Sequence, residues 1–235
     1  MKNSIIGAAL IAIAAGASAG TPEIIAYWAQ NNNGLSGGSG FGFEVGDFPQ
    51  GADFGTQAGS ANLTVGGGDA LANDGTLYTW LQSFTGSTIN AQFGEPSGGS
   101  IALQGGTDTV NNGAFFEFNF NGADYENIEF SLARQATGSG FTTVAIDAYD
   151  NGSLLGSIGS INTSGASSFA LYSYSAGLLD GVENATIRLT FTGATGSTGN
   201  NRLDNIVVQG TLIPTPGAAA LMGLGGLVAA RRRRA

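Results

Sequence analysis

Ala114-Phe115-Phe116-Glu117-Phe118-Asn119-Phe120 decides the fold of this 235-residue chain. Phe116, Phe118 and Phe120 fall on one side of an extended backbone, and Glu117 and Asn119 on the other. A period of two with one apolar and one wet side is the mark of a half-buried antiparallel strand. Downstream, Ile128, Phe130 and Leu132 alternate in the same way with Glu129 and Ser131. Val144, Ile146 and Ala148 follow, then Asp150-Asn151-Gly152 and Leu154–Ile158, which together read as a hairpin. Ser168–Tyr174 is a further strand. Ile187, Leu189 and Phe191 alternate with Arg188 and Thr190, and Leu203–Gln209 closes the series. Upstream, Glu23–Ala29, Ala61–Val65 and Leu77–Phe84 are shorter strands, while Phe41, Phe43, Phe48 and Phe54 pin a long Gly- and Asn-rich segment to the core. No helical period occurs between Gly20 and Ile213. With 40 glycines to serve the turns, the expected fold is all-β, an antiparallel β-sandwich of the jelly-roll kind.

Composition removes whole classes of chemistry. The chain holds no cysteine and no histidine, so disulfides, thiolate nucleophiles, Ser-His-Asp triads and the commonest zinc ligand are excluded. All 17 acidic residues lie between Gly20 and Ile213, against only Arg134, Arg188 and Arg202. A surface so acidic repels phosphate, so no nucleic-acid partner is expected.

Both ends carry addresses. Lys2, the apolar run Ile5–Ala15 and the small residues Ala17-Ser18-Ala19 have the order of a secretory signal cleaved after Ala19 by signal peptidase. At the other end, Pro214-Thr215-Pro216 stops the last strand, since proline offers no ladder N–H. Uncharged Gly217–Ala230 follows, then Arg231, Arg232, Arg233 and Arg234. An apolar segment stopped by a basic cluster is oriented with its end in the cytoplasm. Its 14 residues would make a helix of roughly 21 Å, short of the ~30 Å hydrocarbon core. Glycines at 217, 223, 225 and 226 weaken that helix further. This order resembles the PEP-CTERM sorting signal, with Thr215 where that family has glutamate. The resemblance implies an exosortase-type processing enzyme as partner and a transient inner-membrane anchor before release to the cell surface or matrix. The expected division is therefore a signal peptide at 1–19, a β-sandwich at 20–213 and a sorting tail at 214–235 with a short hydrophobic helix.

The body resembles a secreted β-sandwich module through Phe41-Gly42-Phe43, Ala102-Leu103-Gln104-Gly105-Gly106, Phe191-Thr192-Gly193-Ala194 and Gly199-Asn200-Asn201-Arg202-Leu203-Asp204-Asn205-Ile206. That likeness implies a jelly roll, and with it glycan contact, but no catalytic residue.

Several residues invite a chemical reading. Gly34-Leu35-Ser36-Gly37-Gly38 spells a nucleophile elbow, yet its flanks are glycine and asparagine and no base exists, so it reads as a loop. A glycosidase needs two carboxyl groups about 5–10 Å apart. Glu117, Glu126, Glu129, Asp147 and Asp150 are available, but Glu117 and Glu129 sit on wet strand faces. Asp204 shares strand phase with Ile206 and Val208, which puts it at the rim of the core, where a carboxylate needs a partner. The turn amides of Gly199–Asn201, Arg202 or a metal ion would serve; with Asn200 and Asn201 it offers oxygen donors for Ca²⁺. Gly68-Asp69 with Asn73-Asp74-Gly75 is a similar candidate. Trp28, Trp80, Tyr78, Tyr172 and Tyr174 make either a sugar-stacking platform or core. Three functions stay open: a non-enzymatic exported surface or matrix protein, a carbohydrate-binding module steadied by calcium with extracellular polysaccharide as partner, and a glycoside-cleaving enzyme.

Overall fold

A computed structural model of the chain describes residues 20–31, 41–67, 77–162 and 168–214. Among these the alternating stretches become β1 (Glu23–Trp28), β2 (Phe41–Glu44), β3 (Gln50–Gly51), β4 (Asn62–Gly66), β5 (Leu77–Thr85), β6 (Gly99–Gln104), β7 (Phe115–Phe120), β8 (Tyr125–Ala136), β9 (Thr143–Asp150), β10 (Ser153–Asn162), β11 (Ala170–Ser175), β12 (Ala185–Thr192) and β13 (Asn200–Leu212). They form two antiparallel sheets. One runs β11-β8-β13-β6-β5-β2 with β1 also on β13, and the other β10-β9-β12-β7-β4-β3. The chain changes sheet at β2–β3, β4–β5, β6–β7, β7–β8, β8–β9 and again from β10 through β13, so an antiparallel two-sheet sandwich results. Thr21–Leu212 packs as one unit.

Between the sheets lie the alternating residues of both. Phe116, Phe118, Phe130, Leu132, Ile146, Leu189 and Phe191 are all fully buried. Ring edges meet ring faces, with Trp28 against Phe118 and Phe116 against Phe191, each at 5.1 Å, geometry that aromatic quadrupoles favour. The hairpin read at Asp150-Asn151-Gly152 is present: Ser153 pairs with Asp150, and Asn151 and Gly152 take φ of 46° and 81°, the left-handed pair that a tight two-residue turn requires.

β13 is the central piece. β8 pairs along one of its edges. On the other edge β6 covers Asn200–Leu203 and β1 covers Ile206–Gly210. Asp204 and Asn205 stand at the junction. Asn205 is left-handed, with φ 48°, and the register with β8 slips between Asp204 and Val207. This bulge corrects the expected phase of Asp204. Leu203 and Ile206 both reach the core, so the extra residue has turned Asp204 to the opposite side of the sheet.

Signal residues 1–19 with Ala17 and Ala19, the loop Gly34–Gly38, the 68–75 loop, and the tail from Thr215 and Pro216 through Arg231–Arg234 lie outside the described residues. Pro214 is described and exposed. No helix among the described residues is long and apolar enough to cross a membrane.

Candidate functional site

The wet side of the opening motif builds a polar strip across the outer face of the six-stranded sheet. Asn119 stands opposite Asn62 on β4 and Thr186 on β12. Its amide donates to Asn62 Oδ1 at 3.2 Å and accepts from Thr186 Oγ1 at 2.7 Å. One rung along, Glu117 stands between Thr64 and Arg188. The Arg188 guanidinium donates to Glu117 Oε1 from Nε at 2.8 Å and Nη2 at 2.5 Å. It also lies 4.4 Å from the Phe115 ring centre and 4.3 Å from that of Tyr149. Glu117 and Asp147 flank Arg188 in register. They share this face, whereas Glu129 stands on β8 of the other sheet and accepts from Gln209 there. The guanidinium thus pairs with Glu117, on a strand whose other neighbour carries Asp147.

Beyond Asn62, Asn119 and Thr186 the strip opens into a groove of ≈ 420 Å³. Gln57 and Ser60 line it from the turn before β4, Asn121 from the end of β7, Asn151 from the β9–β10 hairpin, and Glu183 and Asn184 from the turn before β12. Gln57 is locked in place: its Nε2 donates to the Asn121 carbonyl at 2.5 Å and its Oε1 accepts from the Asn121 amide at 2.8 Å. Asn151 N donates to the Asn184 carbonyl at 3.0 Å, fixing the opposite wall. A primary amide offers two donors and one acceptor in a plane. A wall of such groups with a single carboxylate matches a ligand rich in hydroxyls.

The second feature is the strap 86–98, which joins β5 to β6 across the outer side of the seven-stranded sheet. Asp204 is wholly buried beneath it. Its Oδ2 accepts from Ser87 N at 2.5 Å and its Oδ1 from Asn205 N at 2.8 Å. Burial pushes its carboxyl up to about 8, against the pull of those two amides. Asn205 holds the strap by hand: Nδ2 donates to the Ser87 and Ile89 carbonyls at 2.8 and 2.9 Å. Its Oδ1 accepts from Tyr27 Oη at 2.6 Å, and its own carbonyl, missing a strand neighbour, accepts from Asn90 Nδ2 at 2.7 Å. Burial, chiefly, drives the Tyr27 hydroxyl up to about 12.

Asp204, Asn200 and Asn201 do not converge. Asn200 N bonds Thr137 Oγ1 and Asn201 Nδ2 bonds the Phe141 carbonyl, both at the 137–141 turn. Arg202 turns to the Phe84 ring, 4.4 Å away, rather than to Asp204. The Ser97 and Gly99 carbonyls and Asp204 Oδ2 crowd Gly86, so that a Cβ there would stand 2.5 Å from Oδ2 and nearer still to the carbonyls. No group of three or more His, Cys, Asp or Glu among the described residues is placed to hold a metal.

Aromatic placement answers the platform question for most rings. Trp28 is fully buried, and Tyr78, Tyr172 and Tyr174 pack against the core. Trp80 is half-buried, and among the described residues the exposed ring is Phe93 on the strap, 63 % accessible. Sequence reasoning passed over it; a lone aromatic in the turn-rich stretch Asn90–Pro96 was the available signal.

No family model and no curated protein matches this sequence. Solved structures resemble it at low identity. A family 61 carbohydrate-binding module in complex with β-1,4-galactotriose matches with TM-score 0.40 and 9 % identity over 62 % of this chain and 86 % of that one. The K2 cleaved adhesin domain of Lys-gingipain gives 0.41 and 6 % over 62 % and 87 %. The C-terminal family 22 carbohydrate-binding module of Clostridium thermocellum Xyn10B gives 0.39 and 11 % over 64 % and 85 %.

Proposed function

We propose that this chain is an exported, non-enzymatic surface or matrix protein whose sandwich body binds an uncharged polysaccharide. The observation that carries the reading is the amide-lined groove at the end of the polar strip. Its lining holds Gln57, Asn62, Asn119, Asn121, Asn151 and Asn184 and only one charged side chain, Glu183. Hydroxyl-rich chains satisfy such amides in both directions, and an acidic body favours a neutral partner over an anionic one. The tail supports the export half: prolines from Pro214, an uncharged segment and Arg231–Arg234 as a stop. Neutral replacements at those four arginines should impair retention and processing of the tail; sorting identical to the parent's rejects that role.

Calcium belongs to the same reading as a stabiliser. Asp204 would hold the ion and fasten the strap, with no part in sugar contact. On this account a chelator lowers the melting temperature of the parent and leaves that of Asp204→Ala unmoved.

The groove is tested by affinity gel electrophoresis of the full chain in soluble xylan, galactan and mixed-linkage glucan. At least one should retard the parent. Asn119→Ala combined with Asn121→Ala should weaken that retardation about thirtyfold, since each removes a bond worth roughly 1 kcal/mol. Equal retardation of parent and double variant would remove the groove from the function.

A further inference from the structure

The turn that carries Gln57 also borders a second hollow. The two residues before Gln57, Gly55 and Thr56, line it with Ile24 and Phe93, a basin of ≈ 390 Å³. The two hollows therefore share the turn 55–60: Gln57 and Ser60 face one, Gly55 and Thr56 the other.

Phe93 is an unusual wall for such a basin. It takes φ 56°, a left-handed backbone that bulky residues resist, yet 63 % of it faces solvent. Strain of this kind persists only where the surroundings enforce it. Here they do. Gln92 N donates to Tyr27 Oη at 3.3 Å, and Glu95 N donates to the Gln92 carbonyl at 3.0 Å. The Phe93 ring lies 5.2 Å from Phe54 and 6.1 Å from Tyr27 between centres, tilted to them by 32° and 42°. An aromatic plane is thus held rigidly at the surface.

Beside it stands a polar edge. Tyr125 Oη donates to Glu23 Oε1 at 2.9 Å. The Thr56 hydroxyl, 2.8 Å from that same Tyr125 oxygen, is then the donor of their bond. Thr56 keeps its lone pairs for an incoming hydroxyl. One flat ring with an acceptor at its margin fits a pyranose, which presents C–H groups on its face and hydroxyls on its rim. A protein partner would call for a broader apolar area. Neither hollow is lined by lysine or arginine, so nothing there would neutralise an anionic sugar.

We propose that groove and basin are two parts of one extended site for a linear uncharged polysaccharide, in which Phe93 stacks under a sugar ring beyond those held by the amides. This inference rests on the glycan-binding reading of the groove. Recognition along a chain means that affinity climbs with chain length until the polymer spans both hollows.

The test uses the full chain and an oligosaccharide ladder cut from whichever of xylan, galactan or mixed-linkage glucan retards it, read by titration calorimetry. Phe93→Ala should weaken the longest oligosaccharides about tenfold, the worth of one stacked ring, and leave the shortest binding oligosaccharide unchanged. Thr56→Val, which keeps the shape and removes the acceptor, should show the same length-selective loss. Phe93→Trp should restore binding, and an unchanged melting temperature of each variant reports an intact fold. Loss that is equal for short and long chains, or absent for long ones, overturns the extended site and leaves the groove standing. If none of the three polymers retards the parent, both readings fall together.

Discussion

Asn205 does with one side chain what a neighbouring strand does elsewhere. It interrupts β13, accepts from Tyr27 and donates to two strap carbonyls. Its backbone is left-handed, a region asparagine tolerates better than most residues. Asn205→Asp is nearly isosteric, but it would aim a carboxylate oxygen at the Ser87 and Ile89 carbonyls that now receive Nδ2. The expected cost is about 3 kcal/mol, above that of Asn205→Ala, because a repelled charge is worse than a missing donor. Urea unfolding of the three proteins measures it. An aspartate variant as stable as the alanine variant would mean that the strap is not held by these bonds.

At the scale of elements, the strap 86–98 depends on how closely β5 and β6 can bring their ends together at Gly86. A Cβ there meets the Ser97 and Gly99 carbonyls and Asp204 Oδ2, two of which are backbone atoms that cannot swing aside. Gly86→Ala should therefore destabilise the protein by roughly 1–3 kcal/mol. Urea unfolding beside the parent measures the loss, and a variant as stable as the parent would mean that the ends of β5 and β6 have room to part. Elements of this kind show how far the sequence could be read. β7, β9 and β12 were legible because each has one dry and one wet side, so burial writes period two into the residues. β6 was not. Gly99–Gln104 is buried along its whole length, and a strand hidden on both faces loses its alternation. The bulge in β13 was equally silent, for one left-handed asparagine leaves the hydrophobic pattern on either side intact and only shifts it. The groove escaped notice for a different reason: its amides come from four separate turns and strand ends, and no spacing in the chain announces their meeting.

At the scale of the whole molecule, the closing strand binds the body together. β13 pairs with β1, β6 and β8 at once, so one sheet lacks its middle until Asn200–Leu212 is present. A chain ending at Gly199 should give no stable β spectrum in the far ultraviolet, whereas residues 20–213 should fold alone as a soluble β domain. Folding of the shorter piece would show that β1, β6 and β8 can close a sheet without β13. The central place of the last strand also has a meaning in time. A chain is made from its first residue to its last, and this one cannot settle its long-range pairings early. The seven-stranded sheet stays without its middle until Asn200–Leu212 has been made. Folding is thereby held to the end of synthesis by the order of strands alone.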